Sequence, residues 1–145
     1  MLQALAGTWE GTGRGEYPTI EGFDYHETVR LERLADKPLL AYTQRTRSPD
    51  GGPLHAETGF YRFVDGAVEL VIAQPTGIVE VHRGTWEGNR LNLEPVELGT
   101  SPTAVDVSEV RRSIQVDGGV MSYELQMAAV GEPLTLHLTA TLHRT

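Results

Sequence analysis

Residues 5–19 read LAGTWEGTGRGEYPT, and the way this stretch is read decides the fold. Gly7, Trp9, Gly11, Gly13 and Gly15 all occupy odd positions. In a strand, successive side chains alternate between faces, so these five share one face and Thr8, Glu10, Thr12 and Arg14 share the other. One face is therefore bare except for a single indole. Glycine within a strand marks a bend, a bulge or a close approach by another group. Two explanations stand side by side. Either the strand bends to close a sheet around Trp9, or something bulky lies against its backbone.

The same period of two runs through the rest of the chain. FDYHETVRL (23–31) sets Phe23, Tyr25, Glu27, Val29 and Leu31 against Asp24, His26, Thr28 and Arg30. LLAYTQRTR, HAETGFYRF, VELVIAQP, GIVEVHRGTW, RLNLEPV, VDVSEVRRSIQV, VMSYELQMAAV and LTLHLTATLHR follow. Turn signals separate several of them: SPDGG at 48–52, VDGA at 64–67, EGN at 87–89 and DGG at 117–119. About ten short strands at this spacing, with no long amphipathic helix, predict an all-β fold. Consecutive hairpins favour an antiparallel up-and-down barrel of the lipocalin or fatty-acid-binding-protein type, because closure removes exposed edges. About ten strands leave an interior wide enough for a ligand. A helical turn is expected within residues 14–22, with Pro18 near its start. GTWEG occurs at 7–11 and again at 84–88 with unlike flanks, so it reads as coincidence or as two strands that each need a wide aromatic beside glycine.

The 145 residues predict one domain spanning 1–145. There are no cysteines, which excludes disulfides, thiolate metal ligands and a cysteine nucleophile. The chain shows no secretory pattern and no apolar run long enough to span a bilayer, so a cytoplasmic protein is expected. A net charge of −8 with scattered arginines argues against nucleic acid and against anionic membrane surfaces. No nucleophile elbow or phosphate-binding loop is present. The carboxylates look spread over solvent faces. His26, His55 and His82 sit among polar neighbours and read as solvent-facing or hydrogen-bonded structural residues. In the last strand, alternation puts Leu134, Leu136, Leu138, Ala140 and Leu142 on one face, and His137 and His143 on the polar face, outside.

Several segments together resemble one family. GTWEGTGRG fits the G-x-W-x-G-x-G motif of the bacterial nitrobindins through Gly7, Trp9, Gly11 and Gly13, and YPT follows at the family spacing. GFYRF, QPTGIVEVHRG and MAAVGEPLTLHLTATL resemble nitrobindin segments in the same order, so the likeness covers nearly the whole chain. It implies a ten-strand barrel holding ferric haem b near one open end. The implied axial iron ligand is His137, and Thr19 is implied to lie beside the haem. The implied activity is isomerisation of peroxynitrite to nitrate, with nitric oxide as a further ligand; a homodimer is allowed. The rival reading is a non-catalytic carrier of a fatty acid or another small apolar molecule. His143, six residues along the strand and about 20 Å away at ordinary strand rise, cannot share one iron with His137. Alternation and resemblance thus disagree on where His137 points.

Overall fold

The computed structural model describes residues 2–145. Ten antiparallel strands form a closed barrel in which each strand pairs with its neighbours in sequence and the last pairs with the first. The strands are β1 (Gly7–Tyr17), β2 (Ile20–Arg33), β3 (Leu39–Arg47), β4 (Pro53–Val64), β5 (Ala67–Ala73), β6 (Ile78–Glu87), β7 (Arg90–Thr100), β8 (Val107–Asp117), β9 (Val120–Ala129) and β10 (Thr135–Arg144). Among the described residues the only helix is α1 (Leu2–Leu5). None is long and apolar enough to cross a membrane. The helical turn expected within 14–22 is absent: β1 runs to Tyr17, and Pro18–Thr19 form a tight turn into β2. Here the backbone pairing of β1 with both neighbours overrides the local helical signal.

The bare face of β1 points inward, and both explanations for it apply at different residues. A Cβ on Gly11 would lie 2.1 Å from the Thr141 carbonyl oxygen, so the backbones of β1 and β10 approach too closely there for any side chain. Higher up, a Cβ on Gly13 would meet the Tyr25 ring and one on Gly15 the Phe23 ring, each at 2.2 Å. These two rings of β2 occupy the space that side chains on β1 would fill. The second GTWEG behaves likewise, since a Cβ on Gly84 would strike the Asn92 carbonyl oxygen at 1.9 Å.

The two ends of the barrel differ. At the lower end α1 acts as a plug. Leu5 is fully buried, its carbonyl accepts a hydrogen bond from the Trp9 indole at 2.8 Å, and the Arg144 guanidinium sits 4.3 Å above the indole ring. Arg144 also donates to the carbonyls of Ala4 and Ala6. Above the plug lies an apolar core in which Trp9, Leu40, Leu70, Leu91 and Leu142 are fully buried. Asp65 and Gly66, both with positive φ, make the two-residue hairpin between β4 and β5 at this end. The upper end is open.

Candidate functional site

The open end leads into a cavity of about 370 Å³. Its walls are apolar near the mouth, with Phe23, Leu54, Ile78, Val107 and Met127. Its floor is polar, with Gln44, Glu57, Glu80 and Arg112. His137 and Leu138 both line it, although they are consecutive in β10. A regular strand cannot place consecutive side chains on one face. The pairing explains it. Leu136 pairs with Gln126 and Leu138 with Leu125, so His137 is the extra residue of a β-bulge. Below the bulge alternation holds: Ala140 and Leu142 are buried inside and His143 is exposed outside. From Leu138 downward the leucine face is therefore interior, as alternation requires; above the bulge that expectation fails, since His137 lines the cavity rather than the outer wall and Leu134 is exposed.

The ring of His137 is fixed on both sides. Tyr17 packs edge-on against it with ring centroids 5.4 Å apart. Nδ1 lies 3.0 Å from the Glu16 carbonyl oxygen. A carbonyl only accepts, so Nδ1 carries the hydrogen, and in the neutral ring Nε2 is the nitrogen left with its lone pair. A metal-binding imidazole is held in this way, with its second nitrogen donating to a backbone carbonyl. The donor set suits a haem: one oriented imidazole at an open, largely apolar cavity. Among the described residues no cluster of three or more His, Asp or Glu could hold a bare metal ion. Thr19 lies in the exposed turn after Tyr17, at the same end of the barrel, and is not one of the side chains lining the cavity.

The floor is a buried ionic layer. Arg112 of β8 is gripped by two carboxylates. Its Nη1 and Nη2 donate to Glu57 at 3.1 and 2.8 Å, and its Nε and Nη2 donate to Glu80 at 3.2 and 2.8 Å. Glu57 also accepts from the Tyr42 hydroxyl at 2.9 Å and neighbours His55, whose Nε2 is 3.4 Å away. Glu80 meets Nε2 of the fully buried His82 at 2.7 Å and accepts from Gln74. Burial, the largest single influence, would raise both carboxyls, but Arg112 together with His55 beside Glu57 and His82 beside Glu80 outweighs it. Glu57 is held well below the usual carboxylate range and Glu80 is drawn down to about 2. Glu27 of β2 differs. It accepts from Tyr123 at 2.6 Å and from Gln44 at 3.2 Å and has no direct cation, so burial prevails and lifts it to about 7.

These residues correct the expectation that the carboxylates are scattered over solvent faces. Glu27, Glu57 and Glu80 are all buried inside the barrel. His82 is interior and hydrogen-bonded, and His55 lines the cavity; only His26 keeps to the outer wall. The signal is present in the alternation. Glu27 shares a face with Tyr25 and Val29, Glu57 with Tyr61, Glu80 and His82 with Ile78, and Arg112 with Val110 and Ile114. A charged residue in register with buried apolar ones is an inward charge.

Comparison with known proteins identifies a haem-binding barrel family. A family model described as THAP4-like, heme-binding beta-barrel domain matches residues 1–144. A Nocardia farcinica protein named peroxynitrite isomerase is 49% identical over 99% of this chain and 88% of its own length. A Mycobacterium tuberculosis protein named peroxynitrite isomerase 1 is 47% identical over 99% of this chain and 92% of its own. The crystal structure of Rv2717c from M. tuberculosis superposes with a TM-score of 0.92 at 47% identity, covering 99% of this chain and 94% of that one.

Proposed function

This chain belongs to the THAP4-like, haem-binding β-barrel family, and we propose that it binds haem b in the ferric state at the open cavity and converts peroxynitrite to nitrate. The observation that carries the reading is the His137 imidazole, turned inward by the bulge and oriented by the Glu16 carbonyl so that Nε2 is free to ligate. His137 would hold the haem iron through Nε2, and Thr19, in the turn at the same open end, is assigned to lie beside the porphyrin. When bound, haem would supply a Lewis-acid iron suited to rearranging a peroxo compound without net electron transfer.

The chain's own residues do the rest. His137 holds the group, and the apolar wall of Phe23, Leu54, Ile78 and Met127 excludes water from it. The floor disfavours the rival carrier reading. A fatty-acid carboxylate needs a cation to meet it, and the one arginine on the cavity floor is already engaged by two carboxylates. Nitric oxide, a ligand of haem iron, is a further small molecule proposed for the same site. We extend the reading to one domain over 1–145 and to a cytoplasmic, cysteine-free protein. A homodimer is included on the strength of the exposed apolar patch of Phe60, Val71 and Val79 on the outer wall.

The test is hemin titration followed by peroxynitrite decay. Wild type and His143→Ala should bind hemin stoichiometrically with the spectrum of a five-coordinate ferric haem, and His137→Ala should lose it. Loaded protein should raise the yield of nitrate over nitrite without added reductant, and apo protein should not. A wild type that takes up a fatty-acid probe and no hemin would establish the carrier instead.

A further inference from the structure

Peroxynitrous acid is a weak acid, and nitrate is the anion of a strong one. Isomerisation of the acid breaks its O–O bond, forms an N–O bond and sets one proton free. In a cavity walled by apolar side chains that proton needs an acceptor. Three carboxylates are buried at or behind the floor, Glu57, Glu80 and Glu27. Glu57 and Glu80 each spend both oxygens on Arg112, stay ionised and have no capacity for it. Glu27 touches no cation and is reached from the cavity by a chain of hydroxyls. Tyr25 lines the cavity; its hydroxyl lies 2.8 Å from that of Tyr123, which lies 2.6 Å from Glu27 Oε2.

The chain is satisfied in either direction. With Glu27 ionised, Tyr25 donates to Tyr123 and Tyr123 to Glu27. With Glu27 protonated, Glu27 donates to Tyr123, Tyr123 to Tyr25, and Tyr25 turns to the Thr139 carbonyl oxygen at 3.3 Å. No hydroxyl loses its acceptor when the chain reverses, which is the requirement for proton transfer along it. Gln44 adds to the floor a buried Oε1 without a partner, an acceptor for a ligand hydroxyl.

We propose that Glu27 is the proton acceptor of this cavity, taking the proton of peroxynitrous acid through Tyr25 and Tyr123 as the acid becomes nitrate. The proton leaves the peroxo oxygen for the Tyr25 oxygen, Tyr25 passes its own to Tyr123, and Tyr123 passes its own to Glu27; no electrons cross the chain. This rests on the peroxynitrite reading above. The groups facing Glu27 are Tyr25 on its own strand, Tyr42 and Gln44 from β3, Glu57 from β4, Arg112 from β8 and Tyr123 from β9. Burial and Glu57 oppose its charge, while Tyr123, Gln44 and Arg112 support it, and the balance near 7 suits a group that must take and return a proton at neutral pH.

Two measurements test this. In apo protein, infrared difference spectra between about pH 6 and pH 8 should show one protonated-carboxyl band that disappears across neutrality. Glu27→Gln should abolish that band. In hemin-loaded protein, Glu27→Gln and Tyr123→Phe should keep the hemin endpoint and the Soret band. Both should lower the rate of nitrate formation at least about tenfold near pH 7, where the protonated acid and ionised Glu27 coexist, below the usual reach of direct acid–base catalysis because two hydroxyls intervene. Both should also flatten the fall in rate that wild type shows below pH 7. No titrating carboxyl, or a wild-type pH profile in variants that bind hemin, would overturn the relay alone. A wild type that binds no hemin would overturn the relay together with the reading it rests on.

Discussion

The lower and upper halves of this barrel are built from the same ten strands and solve opposite problems. Below, Trp9 of β1 and Leu142 of β10 are fully buried in one apolar core, and α1 plugs its end. Above, the same two strands carry a bulge on one and glycines beside the rings of β2 on the other, and a cavity remains. Regular alternation makes the half that stabilises; a break in alternation makes the half that binds. Between them the ionic layer of Glu57, Arg112 and Glu80 serves as a rigid floor. Its charges are mutually satisfied, which makes it a poor landing site for a free carboxylate.

The sharpest way to break this division is Trp9→Ala. It removes a fully buried indole and its bond to the Leu5 carbonyl, and should cost about 4 kcal/mol in denaturant unfolding. Hemin affinity in the fraction still folded should be unchanged. If hemin binding falls in step with stability, the halves are one cooperative unit and the division is wrong.

The middle layer is tested by pH. Glu27 is raised by burial from an ordinary 4.5 to about 7. A raised carboxyl stabilises the fold fully below the unfolded value, and that contribution is lost as pH rises through 7. Stability should therefore decline by up to about 3 kcal/mol between pH 4.5 and pH 8 on this account. Glu27→Gln should flatten the decline. Glu80 runs the other way, with stability present above 4.5 and lost as pH falls toward 2.

Gly11→Ala should cost about 2 kcal/mol, because its Cβ meets the immovable backbone of β10. Gly13→Ala should cost less than Gly11→Ala if the Tyr25 ring can tilt, and equal costs would show that the ring is as fixed as a backbone. The smallest change in stability belongs to the rim. Leu54→Ala removes a half-exposed side chain and should move unfolding by under about 0.5 kcal/mol. It should still weaken hemin binding measurably, as Thr19→Trp should by obstruction.

Most of the barrel is legible in the sequence because hairpins and alternation are local. The turns at Asp65–Gly66 and Gly118 carry the residues that positive φ demands, and the strand faces follow from period two. The ionic layer is half legible: each charge can be assigned to an inward face, yet nothing local says that β4, β6 and β8 deliver Glu57, Glu80 and Arg112 to one point. The bulge is not legible at all. Leu136, His137 and Leu138 contain no glycine or proline, and the extra residue exists only relative to β9. Resemblance, not periodicity, puts His137 inside.

The pairing of β1 with β10 also sets an order of events in time. Nine strands can zip in sequence as neighbouring hairpins, each closing a short loop. The last seam joins Trp9 to Arg144 across almost the full chain and must await the strand synthesised after the other nine. That strand brings the bulge, the histidine and the arginine that clamps the plug. Until it docks, the sheet has two open edges and no imidazole to offer, so a ribosome-bound chain short of β10 is at once the most aggregation-prone form of this protein and the one that haem cannot rescue.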